Sequence, residues 1–123
     1  MTKGLASKRL AERRGRRSET IAALMLACKL YRIIGRRVRT HAGEIDLIAV
    51  SPTGIVCFVE VKARRDVEAA AIALGPRQQS RIARAAELYL AQRPRLGLRG
   101  VRFDTITVPQ KGWPKHTRDA WRP

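Results

Sequence analysis

The spacing of apolar and polar positions along the chain changes several times, and each change marks an element. Residues 19–30 include Ile21, Ala22, Leu24, Met25, Leu26, Ala27 and Cys28, apolar nearly all round a helix, with Ser18 placed to cap its start. That pattern predicts a helix packed on more than one side. "YRIIGRRVR", residues 31–39, reads as a strand with a bulge or bend at Gly35, and "THAG" as a turn. Two further strands, at about 44–50 and 55–63, flank "SPTG". Residues 64–74 are a polar to alanine-rich connection, read as loop. Pro76 stands near the start of a second helix with Ile82, Ala83, Ala86, Leu88, Tyr89 and Leu90 as its apolar positions. "VRFDTITV", residues 101–108, alternates, placing Val101, Phe103, Thr105 and Thr107 on one face of a half-buried strand. The remainder reads as tail, anchored by Trp113 and Trp121. The order α-β-β-β-α-β predicts an α/β domain with a small mixed β-sheet flanked by helices. Its bounds are 18–110, with a basic arm at 1–17, mobile or a frayed helix, and a tail at 111–123.

The loop chemistry between the central strands fixes a register. Pro52-Thr53-Gly54 suits a three-residue hairpin loop, with proline opening a type I turn and glycine in the left-handed position. Ser51 then faces Ile55, Val50 faces Val56, Ile48 faces Phe58, Asp46 faces Glu60 and Glu44 faces Lys62. Side chains alternate along strands. One sheet face therefore carries Val50, Ile48, Asp46 and Glu44 beside Val56, Phe58, Glu60 and Lys62, apolar near the turn and charged at the far end. The other carries Ala49, Leu47 and Ile45 beside Cys57, Val59 and Val61. Two carboxylates directly opposed repel. A divalent cation relieves that repulsion, and oxygen ligands suit Mg²⁺ or Mn²⁺. Lys62 on the same face can hold a water or meet charge developing on a phosphate oxygen. The bland reading is a cross-strand Glu44–Lys62 ion pair with Asp46 and Glu60 solvated at the rim.

Composition sharpens the choice. The chain has 123 residues, 26 Lys and Arg against 10 Asp and Glu, and a formal net charge of +16. One compact domain is the natural reading of that length. The charge exceeds what solubility needs and points to a polyanion, nucleic acid first. Arg32, Arg36, Arg37, Arg39, the amino-terminal arm, Arg93, Arg95, Arg99 and Arg102 are available as phosphate contacts. Cys28 and Cys57 sit in apolar runs as small core residues, and neither they nor His41 and His116 have zinc spacing. "TIAALMLACKL" after a basic start resembles a signal segment. Its apolar run is short and Glu19 stands before it, so a buried helix of a cytoplasmic protein is expected, with no membrane partner.

The blocks "GEIDLIAV" and "FVEVKAR" resemble the PD-(D/E)XK nuclease superfamily, and within it the YraN family of small bacterial proteins. That family is similar to archaeal Holliday junction resolvases, and the resemblance runs from about residue 13 to 108. It implies a restriction-endonuclease-like core and metal-dependent cleavage of DNA, including branched or junction DNA in repair or recombination. It implies Asp46 and Glu60 as metal ligands, joined by the carbonyl of Val61, with Lys62 positioning water or stabilising the transition state. Glu19, on the first helix, matches a further catalytic glutamate, and Glu44 is an additional candidate. Gln78 or Gln79 would support Lys62 or touch the phosphate, the plainer reading being solvated helix surface. Arg64 and Arg77 join the arginines expected to bind nucleic acid. The cofactor implied is Mg²⁺ or Mn²⁺, the partner DNA, and a two-fold homodimer follows if the substrate is a junction. The alternative is a basic nucleic-acid-binding protein without catalysis on the same fold.

Overall fold

A computed structural model describes the backbone of residues 2–64 and 75–123, and side chains from residue 15 onward apart from 64–74. The predicted loop at 65–74, the side chain of Arg64 and those of the arm up to residue 14 lie outside the described residues. The elements are α1 (Thr2–Cys28), β1 (Arg32–Arg39), β2 (Glu44–Val50), β3 (Val56–Arg64), α2 (Pro76–Ala91), β4 (Val101–Pro109) and β5 (Lys115–Thr117). The five strands form one mixed sheet in the order β1-β2-β3-β4-β5. Only β3 and β4 run parallel, which the crossover through α2 allows. The result is a mixed α/β fold consistent with a small nuclease-like architecture.

The hairpin turn forms as its residues dictate. Ser51 N–H donates to the Ile55 carbonyl at 2.8 Å, Gly54 N–H to the Ser51 carbonyl at 2.9 Å, and Gly54 sits at φ +92°. Val50 therefore pairs with Val56 and Ile48 with Phe58. The expected bulge in β1 lies between Ile33 and Gly35.

Two apolar layers cover the sheet. On one face Ile48, Val56, Phe58 and Phe103 pack beneath Ile82, Ala85, Ala86 and Tyr89 of α2. On the other, Leu47, Ala49, Cys57, Val59, Ile106 and Val108 pack against Ala22 and Leu26 of α1. The sheet is thus buried on both sides, which explains why its central strands read as apolar runs.

Several expectations are corrected. Ser18 does not cap a helix, because α1 runs through it from Thr2, and Ser18 and Glu19 are both buried. The helix stops at a left-handed Leu30, φ 68°, with Tyr31 N–H reaching back to the Leu26 carbonyl at 2.9 Å. Cys28 is exposed, whereas Cys57 is buried and burial pushes its thiol up to about 11. Ile45 packs in the layer under α2 rather than with Leu47, since β2 leaves its ladder with β3 beyond Leu47. β4 is buried on both faces at its centre, not on one, with Phe103 on one side and Asp104 and Ile106 on the other. The tail contains β5, and of the two tryptophans Trp121 packs on Phe103 at 4.4 Å while Trp113 is 91% exposed.

Candidate active site

At the end of the hairpin away from its turn, the sequence alternation places charge on apolar strands. Asp46 lies one residue beyond the last paired position of β2, Leu47 with Val59. Its Oδ2 accepts the Val61 N–H at 2.8 Å. A carboxylate thus takes a donor that continued pairing would have directed at β2 backbone, and is itself fixed in direction. The expected role for Val61 involved its carbonyl; the contact the structure shows is made by its N–H.

Glu60 is buried, at 9% exposure. Its Oε1 accepts from Gln78 Nε2 at 3.3 Å, while Oε2 is buried with no protein donor. Burial, then the neighbouring Asp46 carboxylate and a hydrogen bond with it, raise the Glu60 carboxyl from 4.5 to about 9, against the opposing pull of Lys62 and Gln78. A proton held by Glu60 is what lets the two acids coexist near neutral pH. Lys62 Nζ donates to Gln78 Oε1 at 3.1 Å. Gln78, in the first turn of α2, therefore bridges Glu60 and Lys62 through its two ends. Pro76 opens that helix and Gly75 precedes it without a side-chain cap, so the helix start stands beside the site. The outcome favours site geometry over solvated surface for Gln78.

The other expected residues distribute as follows. Glu19 on α1 is held by two arginines, its Oε1 lying 3.5 Å from Arg36 Nε and 3.1 Å from Arg37 Nε. Among the described residues no cluster of three or more acid, histidine or cysteine side chains is placed to hold a metal, so Glu19 does not join Asp46 and Glu60. Glu44 pairs with Arg39 at 3.4 Å, and Lys62 with Gln78, so the cross-strand Glu44–Lys62 pair does not form. Arg77 is exposed at the start of α2, and the Gln79 N–H donates to the Gly75 carbonyl at 3.0 Å. Arg102 is withdrawn from any surface role, for it clasps Asp104.

That clasp escaped the sequence reading. Asp104 is fully buried and accepts from Arg102 Nε and Nη2 and from His116 Nε2, each at 2.8 Å, and from the Asp119 N–H at 3.0 Å. Burial alone would raise its carboxyl, but the donors from His116, Arg102 and Asp119 outweigh burial and hold it at about 2. Arg102 also reaches the Tyr31 hydroxyl at 2.7 Å, and Lys29 Nζ lies 2.9 Å from His116 Nδ1. Arg-x-Asp on an alternating strand was the sole signal available.

Fold and site together define a small α/β protein with an acid–acid–lysine set at the open end of a central hairpin. The chain belongs to the Uncharacterised protein family UPF0102, which it matches over residues 18–108. It is 48% identical over 120 residues to a UPF0102 protein of Parvibaculum lavamentivorans, covering 98% of this chain and 86% of that one. UPF0102 proteins of Maricaulis maris and Mesorhizobium japonicum are 44% and 45% identical, over 95% and 94% of this chain and 91% and 92% of theirs. No described helix is long and apolar enough to cross a membrane.

Proposed function

We propose that this chain is a metal-dependent nuclease of the PD-(D/E)XK type that hydrolyses phosphodiester bonds in DNA, in the cytoplasm, with branched or junction DNA as the substrate that a two-fold homodimer would suit. The observation that carries the reading is the buried Glu60 Oε2, without a protein donor and set against the carboxylate of Asp46. Two oxygen donors facing one space fit Mg²⁺ or Mn²⁺ better than they fit each other. When bound, such a cation would polarise the phosphodiester and lower the pKa of an attacking water.

The chain's own residues do the rest. Val61 N–H fixes the direction of Asp46. Gln78 holds Glu60 and Lys62 at a set separation. Lys62 Nζ, held at one acceptor, has further protons to donate to a phosphate oxygen as charge develops there. The uncapped start of α2 favours an anion at the same place. The net charge of +16 supports a polyanionic substrate.

The alternative, binding without catalysis, draws on one observation: Glu19 is engaged with arginines rather than with the acid pair. Incubating the protein with labelled duplex, single-stranded and four-way-junction DNA in Mg²⁺ or Mn²⁺ decides between them. Nuclease action predicts metal-dependent cleavage abolished in Asp46→Ala and Glu60→Ala. Salt-sensitive binding without cleavage in any metal, unchanged by either substitution, establishes the binding protein.

A further inference from the structure

Glu19 is the most heavily engaged carboxylate on the α1 side of the β1 edge. Its side chain is 7% exposed, and one of its oxygens accepts a hydrogen bond from Arg37 Nε and makes a 3.5 Å ion pair with Arg36 Nε. Those two arginine side chains are each 43% exposed. Arg36 is steadied further by Nη2 donating to Thr20 Oγ1 at 3.1 Å. The Nη groups of Arg37 have no protein partner among the described residues. One buried negative charge thus holds two half-exposed positive ones, and the local surplus faces solvent.

The backbone points the same way. Arg37 adopts φ 48°, a left-handed conformation that a long side chain rarely takes and that glycine takes freely. In a regular strand, consecutive side chains leave on opposite faces. The left-handed turn at Arg37 instead lets both arginines reach one carboxylate. A side chain at this position is retained against backbone strain, and strain of this kind concentrates where geometry serves a ligand. Arg37 also falls between the Arg36–Leu47 and Val38–Ile45 pairs, hence across from Asp46. Clamp and acid pair therefore lie toward the same end of the sheet, on adjacent strands, with Glu19 on the α1 side and Glu60 reaching Gln78 on the α2 side.

From this we infer that Arg36 and Arg37 form a phosphate clamp for a nucleic-acid backbone, and that Glu19 is its positioning residue rather than a metal ligand. The clamp rests on the nucleic-acid half of the function proposed above and does not need catalysis. Arginine suits the task, since its planar fork meets two phosphate oxygens at once. The buried carboxylate holds the Nε edges and leaves the Nη groups of Arg37 for a ligand, while Thr20 takes Nη2 of Arg36.

The test uses fluorescence anisotropy of a labelled duplex DNA in EDTA, read across a salt series for the full chain. Arg37→Gly is the informative variant: glycine fits φ 48°, which offsets in part the loss of the 3.1 Å partner of Glu19, and a retained melting transition shows that the fold survives before binding is read. It is expected to weaken binding roughly threefold to tenfold and to reduce the slope of log K against log salt by about 0.9, one phosphate contact. Arg36→Ala should behave alike. Arg84→Ala, which removes an exposed arginine paired to Glu87, is the charge-matched control and should change little. Glu19→Ala gives the sign that separates the readings. Loss of a negative charge alone tightens DNA binding, whereas loss of the positioning carboxylate weakens it. Weaker binding in Glu19→Ala with a retained melting transition supports the clamp. Equal effects of Arg37→Gly and Arg84→Ala overturn it, as does tighter binding in Glu19→Ala. So does a Glu19→Ala protein that loses Mn²⁺ affinity but binds DNA normally in EDTA. Failure of the nuclease reading looks different: no cleavage in any metal, with the Arg37→Gly effect intact.

Discussion

Filling the acid pair with a divalent cation should expel a proton. In the metal-free protein the Glu60 carboxyl is raised from 4.5 to about 9, by burial first and by Asp46 next. At pH 7 it therefore carries its proton, and a cation must displace it. Close to one proton should leave per cation bound, and the apparent Kd should fall about tenfold for each pH unit between pH 6 and 8, flattening toward pH 9. Calorimetric titration with Mn²⁺ in two buffers of different ionisation enthalpy counts the proton directly. Glu60→Gln keeps the shape but has no proton to lose, and should bind neither tightly nor with proton release. Stability supplies a second reading with a definite sign. A carboxyl raised in the fold holds a proton that the unfolded chain releases above about 4.5, so metal-free stability falls as pH rises from there toward about 9. The slope is at most about 1.4 kcal/mol per pH unit. Glu60→Gln removes that slope, so its advantage over the parent grows with pH. An Mn²⁺ affinity that is flat between pH 6 and 8, with no proton release, would mean that Glu60 is already ionised in the metal-free protein or that the cation binds elsewhere.

Further expectations follow from the same geometry. Lys62→Ala should lower the rate of any metal-dependent cleavage about a hundredfold or more while leaving Mn²⁺ affinity nearly unchanged; equal losses in both would make Lys62 a structural partner of the acids. Leu30→Gly should raise stability by about 0.5–1 kcal/mol in urea unfolding, because φ 68° strains a leucine whose side chain is 78% exposed; a loss would mean the side chain packs. Gly54→Val should lower stability by about 2 kcal/mol, since φ +92° strains any β-branched residue and its Cβ would meet Arg99 Cδ at 2.6 Å; an unchanged melting curve sinks the turn assignment. Asp104→Asn should lower stability by about 3 kcal/mol near neutral pH. The parent's contribution from Asp104 is full above about pH 3.8 and is lost as pH falls through about 2, so the variant's acid unfolding should lack that step.

The hairpin was legible because local rules agreed. Pro52 and Gly54 set the turn and with it the register from Val50–Val56 to Leu47–Val59; beyond that β2 leaves the ladder, so the expected Asp46–Glu60 strand pair does not form and the two acids interact through their side chains. Gln78 entered beside Gln79 only through the family resemblance, and its contacts with Glu60 and Lys62 single it out. What escaped depends on partners distant in sequence or on backbone states that composition does not mark. His116 meets Asp104 from a three-residue strand too short to show a period. Tyr31 reaches Arg102 across 71 positions. Nothing in "GRRVR" distinguishes a left-handed Arg37, and Leu30 ends α1 where a glycine would have been the readable signal. Ser18 looked like a cap because its type favours caps, yet tertiary burial carried the helix through it. Glu19 was placed by resemblance with the acids, and the geometry places it with Arg36 and Arg37 instead.

Three acidic sites in the interior show how this chain treats buried charge, and their contrast bears on function. The sequence supplies 26 Lys and Arg for 10 Asp and Glu, more than two for every acid. Asp104 receives an arginine in two-pronged contact and a histidine. Glu19 receives two arginines. Both are satisfied from within, as buried charges must be. Asp46 and Glu60 are treated differently. Asp46 takes the Val61 N–H and Glu60 the Gln78 amide, the second oxygen of Glu60 is buried with no protein donor, and the nearby lysine donates to Gln78. Replacing either acid by an apolar residue of similar size would relieve the repulsion at little loss, for buried ionic groups are weak sources of stability. A chain this rich in arginine nonetheless gives this one acid pair no guanidinium, and it is to this pair that the nuclease proposed above assigns a divalent cation. On that proposal the proton on Glu60 stands where a cation would bind, and its release on loading is the consequence to measure first.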